Sequence, residues 1–77
     1  MNTLPGIYRA TVVGNSDPTR KRRLLVQNPV LFHAGPQWAE ACVPYRSRAT
    51  PPIGSTVWLQ FEGADVDHPV WVGTRPG

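Results

Sequence analysis

The chain has one cysteine, Cys42, so no disulfide can form within it. It has five acidic residues against eight basic ones, for a formal net charge of +3. His33, His68, Cys42 and the few carboxylates show neither CxxC nor HxxxH spacing, so no metal site is expected. No apolar run approaches the length of a membrane span. The opening "MNTLPGIYRA" lacks the basic start and apolar core of a signal peptide, so synthesis in a reducing cytoplasm is expected. Helical windows are missing as well. Nine prolines and seven glycines interrupt the sequence, and no stretch repeats apolar residues at i, i+3, i+4 and i+7. With 77 residues and no staple, the chain must rely on tight packing or on assembly with a partner.

What is present is a series of short runs bounded by turn residues, the pattern of a small all-β barrel. Strands are expected at about 6–15, 21–28, 38–45, 56–62 and 69–74, within one domain spanning 1–77. In the first, Tyr8, Ala10 and Val12 alternate with Arg9 and Thr11. Asn15, Asp17 and Pro18 mark the turn that follows. In the second, Leu24 and Val26 share one face while Leu25 and Gln27 share the other. Val30, Leu31 and Phe32 are apolar enough to plug one end of a barrel. The third strand alternates Ala39, Ala41 and Val43 with Trp38, Glu40 and Cys42. Closing five strands into a barrel removes edges that so small a sheet could not protect.

The segments "DPTRKRRLLVQNP" and "PPIGSTVWLQFEGADVDHPVWVG" carry a family resemblance. The second has Pro and Gly before an apolar strand, a Phe-Glu end, an acidic turn, then Pro-Val-Trp-Val-Gly. Over about residues 5–74 the chain resembles the N-terminal OB-fold domain of phage baseplate hub and tail-spike proteins, shared with type VI secretion VgrG spike proteins. The resemblance implies a five-stranded Greek-key OB barrel and a structural role in the virion. It implies hub and spike proteins as partners, a homotrimer within the particle, and a chain standing alone as an adaptor between the ring-shaped hub and the central spike. The family's usual helix between strands three and four is expected to be replaced here by the proline-rich loop at 46–52.

Alternation assigns the candidate interface. If Val57, Leu59 and Phe61 fill the barrel, Trp58 and Gln60 point outward. Taking Val70 and Val72 as the inward pair turns Trp71 outward too, and pairing Phe61 with Val70 joins Trp58, Gln60 and Trp71 in one patch. Exposed tryptophans mark interaction surfaces. The basic cluster Arg20, Lys21, Arg22 and Arg23 and the acidic turn with Asp65 and Asp67 are candidates for orienting a neighbour, as against solvated loops. The alternative function is single-stranded nucleic-acid binding, which OB barrels also perform. Its required interleaving of basic and aromatic residues is not evident on strands two and three. The carboxylates form no recognisable acid/base pair, and a lone strand cysteine is more often a small packed residue than a nucleophile. No catalysis and no cofactor are expected.

Overall fold

The computed structural model describes residues 5–44 and 50–76. Its strands are β1 (Tyr8–Gly14), β2 (Leu24–Gln27), β3 (Gln37–Ala41), β4 (Thr56–Phe61) and β5 (Pro69–Thr74), with a 3-10 turn at Glu62–Ala64. They close in the order β1-β2-β3-β5-β4. Every neighbouring pair is antiparallel except β3 with β5. This is a small all-β OB barrel, and among the described residues it contains no α-helix.

Inward residues follow the alternation on four strands. Ala10 and Val12 of β1, Leu24 and Val26 of β2, Ala39 of β3, and Val57, Leu59 and Phe61 of β4 are all buried. Phe32 closes one end. Asn28 holds the loop that delivers it: its side-chain oxygen accepts from the Val30 amide at 2.9 Å, its backbone oxygen accepts from the Phe32 amide at 2.8 Å, and its side-chain nitrogen donates to the Arg9 carbonyl at 2.8 Å. Phe32 then meets Phe61 edge-on at 6.2 Å, and Tyr8 meets Phe61 at 5.6 Å. Only Phe32 of the apolar triplet is buried, for Val30 is 78% exposed.

The fifth strand departs from expectation. Phe61 pairs with Pro69 rather than Val70, and Gln60 pairs with Val70. A slip of one residue exchanges the two faces of a strand. Pro69 and Trp71 are therefore buried, and Val70 and Val72 lie half-buried on the other side. A bulge follows at once. Leu59 pairs with Trp71 and Trp58 with Gly73, which leaves Val72 as the extra residue. The reason is volume. Beside Trp71 runs β3, paired to it at Ala41 and contributing the buried Ala39, so small residues on one strand leave room for a large ring from the next.

Two other boundaries shift. The second strand begins at Leu24, because residues 17–23 form a hydrogen-bonded loop. The third strand ends at Ala41, although the Cys42 amide still donates to the Trp71 carbonyl at 2.9 Å. In the 46–52 loop, residues 46–49 lie outside the described residues, and Thr50–Pro52 are not helical. Gly14 sits where β1 crosses Leu25. A Cβ there would come within 3.1 Å of the Leu25 Cβ, so the close approach of β1 and β2 needs glycine.

Candidate interaction surface

The basic cluster is organised by one acid. The Asp17 carboxylate accepts from the backbone amides of Thr19 (2.9 Å), Lys21 (3.0 Å) and Arg23 (3.1 Å) and from the Thr19 hydroxyl (2.8 Å). Arg23 adds Nη2 at 3.0 Å and Nε at 3.2 Å. The Asp17 side chain is only 3% exposed. The Arg23 guanidinium, with the Thr19 and Arg23 amides, holds its carboxyl well below the usual carboxylate range, against the opposing effect of desolvation. Wrapping the chain around this carboxylate forces Arg20 and Arg22 into left-handed conformations, with φ of 59° and 63°. Such residues persist only where surrounding contacts over-determine them.

The four basic residues consequently have different fates. Arg23 is bound to Asp17 and lies over the Trp38 ring at 4.9 Å. Arg22 is half-buried, and its carbonyl accepts the Trp71 indole N–H at 2.9 Å. Its Nη1 is buried with no partner. Arg20 and Lys21 are exposed.

Trp71 is not on the outer wall. It is 3% exposed, packs with the barrel core, and ties β5 to the base of the Asp17 loop. The expected Trp58–Gln60–Trp71 patch is thereby corrected to Trp58 and Gln60. Those two do share the outer face of β4, where Trp58 is half-buried and Gln60 exposed. The β1 residue opposite Trp58 is Arg9. The Arg9 guanidinium lies 5.5 Å from the centre of the Trp58 ring, within the range of a cation–π contact. On the other flank Trp58 faces Gly73, where an added Cβ would meet nothing within 4 Å. Among the described residues the half-buried indole thus has an arginine on one side and a glycine, with no side chain, on the other.

The acidic turn is largely self-satisfied. The Asp65 carboxylate accepts from the Asp67 amide at 2.9 Å and contacts His68 Nδ1 at 3.0 Å. The Asp67 amide first, and His68 second, lower the Asp65 pKa from its ordinary value. Asp67 itself is exposed. It lines a small groove of about 100 Å³ together with Arg23, Trp38, Glu40 and His68, so the acidic turn and the basic loop border the same seam within one chain.

Sequence reasoning overlooked two residues. Arg9 was legible, since its pairing with Trp58 needs only the β1–β4 register. Trp38 alternates with the inward Ala39, but its stack with Arg23 depends on the Asp17 loop, whose path no alternation pattern encodes. Among the described residues no three His, Cys, Asp or Glu side chains are grouped so as to hold a metal ion.

A family described as "Type VI secretion system/phage-baseplate injector OB domain" matches residues 8–75, nearly the whole chain. Among curated proteins no match is found.

Proposed function

The chain belongs to the family of type VI secretion system and phage-baseplate injector OB domains, and on that premise we propose that it is a mechanical adaptor. In this reading a small rigid barrel joins the ring-shaped hub of a phage tail to its central spike. It acts by protein contacts rather than by catalysis, as a virion component made in the host cytoplasm. Three copies associate around the tail axis, and each buries outer wall that a single copy leaves exposed.

The observation that carries the reading is the position of Trp58. The barrel fills its own interior with Leu24, Val26, Val57, Leu59, Phe61 and Trp71, and still leaves the Trp58 indole half-buried on the outer wall opposite Gly73. A large aromatic ring outside a completed core is the residue type that anchors interfaces. Gln60 supplies a hydrogen-bonding neighbour on the same face. Arg20, Lys21 and Asp67 then act as orienting charges at the rim, with Arg23 and Asp65 committed to contacts inside the chain. Trp71 contributes to this indirectly, by fixing the barrel.

The nucleic-acid reading has one feature in its favour, the Arg23–Trp38 stack beside β2. Against it, Arg23 is neutralised by Asp17, and Glu40 lines the same groove. A polyanion would meet one spent cation there, and Glu40, Glu62 and Asp67 would repel it.

Cross-linking followed by mass spectrometry on purified tails, or on the barrel mixed with the ring-shaped hub protein of the same tail, tests the proposal. Cross-links from Lys21 to the hub or spike are expected. A barrel absent from particles, and monomeric when mixed with the hub, would overturn it.

A further inference from the structure

A second feature of the outer wall points to the chemistry of the partner. Across β1 the outward residues of three strands line up in one row, since Thr11 pairs with Gln27 of β2 on one side and Thr56 of β4 on the other. Arg9 is the next outward residue along β1, and Arg75 follows directly after β5, its amide donating to the Thr56 carbonyl at 2.8 Å. These residues, with Asn28, line an open groove of about 280 Å³. Its lining offers the hydroxyls of Thr11 and Thr56, the amides of Gln27 and Asn28 and two guanidinium groups, beside Ala10 and Pro29.

None of the chain's five acids lines this groove: Asp17, Glu40, Glu62, Asp65 and Asp67 all lie elsewhere. Among the described residues the ion pairs are Arg23–Asp17 and His68–Asp65, so neither Arg9 nor Arg75 has a carboxylate partner there. Arg9 lies over Trp58, and stacking occupies the face of a guanidinium while leaving its N–H edge free to donate. That edge, set beside hydroxyl and amide groups, matches a carboxylate that accepts two parallel hydrogen bonds.

We propose that the β1 groove binds a glutamate- or aspartate-bearing segment of a partner protein, with Arg9 and Arg75 gripping its carboxylates and Trp58 packing on the apolar residue beside them. The inference rests on the protein-docking role proposed above and adds the charge of the docked surface. An acidic protein segment fits better than a nucleic-acid strand. Sequence-tolerant strand binding uses aromatic rings as stacking platforms along the groove, whereas among the described residues no aromatic ring lines this groove, and the Trp58 indole beside it already carries Arg9 on its face.

The test is fluorescence anisotropy with a labelled peptide of glutamate and serine around one leucine, set against an oligothymidylate of matched charge. The wild-type chain should bind the peptide, more weakly as salt is raised. Arg9→Ser and Arg75→Ser should each lose on the order of tenfold in affinity, the loss expected for a charge-assisted hydrogen bond. Arg9→Lys should restore only part of it, because an ammonium cannot present the paired edge. Both arginines are exposed, so unchanged melting of the variants separates lost binding from lost fold. Absence of peptide binding, or equal binding by the double variant, would overturn the proposal. So would oligothymidylate binding that is tighter than peptide binding and depends on the same arginines. If the peptide fails while the hub still associates, the partner's charge is wrong and the docking role stands.

Discussion

Replacing Trp71 by alanine separates a core residue from a docking residue. The indole is 3% exposed and donates to the Arg22 carbonyl at 2.9 Å. Removing a buried tryptophan costs about 3–5 kcal/mol through lost transfer energy and the cavity left behind. Here the Arg22 carbonyl also loses its partner in a loop already holding left-handed Arg20 and Arg22. A domain of 77 residues has a total stability of about 4–12 kcal/mol. At about 2.1 cal/mol/K per residue, 1 kcal/mol corresponds to roughly 6 °C in melting temperature for this length. Trp71→Ala should therefore melt about 20–30 °C lower or fail to fold at 25 °C. Trp71→Phe keeps most of the ring and loses the N–H, so a cost of about 1–2 kcal/mol, near 10 °C, is expected. Urea titration followed by circular dichroism reads both. A Trp71→Ala variant with wild-type stability that no longer assembles would refute the buried assignment and return the ring to the outer wall.

Three further outcomes follow from the loop, the β1–β2 crossing and the barrel end. The lowered pKa of Asp17 means that its contribution to stability is present above the unfolded value of about 3.9 and is lost as pH falls toward the folded value. Melting curves of wild type and Asp17→Asn should accordingly differ at pH 7, and the gap should shrink steadily as pH falls below about 4; a gap that stays constant from about pH 7 to pH 2 would contradict the carboxylate's role. Gly14→Ala should cost about 1–3 kcal/mol by overpacking against Leu25, read by urea titration, while a neutral result would mean that the two strands can separate freely. Phe32→Ala should cost about 3–5 kcal/mol, because this ring closes the end of the barrel against Phe61; a smaller loss in the same titration would show that the loop is not part of the core.

The sequence made the barrel legible wherever a polar residue sat between apolar ones. Gln60 between Leu59 and Phe61 marks the outer face of β4, and Arg9 and Thr11 mark that of β1. The run Val70-Trp71-Val72 has no such marker. Its facing was therefore decided by register, and register by Pro69 against Phe61 and by the alanines of β3, none of which is a local signal. The basic cluster misled in another way. Four adjacent cations read as one patch, yet Asp17 draws Arg23 inward, and the turn it builds half-buries Arg22, so only Arg20 and Lys21 keep the exposure expected of all four. The outward facing of Trp58 needed only alternation, and its arginine partner needed only the pairing of β1 with β4.

The central claim is that Trp58, outside a core completed by Trp71, anchors the barrel to the tail hub. Light scattering on the purified chain mixed with the hub protein, wild type against Trp58→Ala, tests it most directly. The account predicts that Trp58→Ala keeps its fold, melts within a few degrees of wild type as expected for a surface change of about 1 kcal/mol, and remains unassembled where wild type forms a complex. A Trp58→Ala chain that joins the hub as readily as wild type would contradict it.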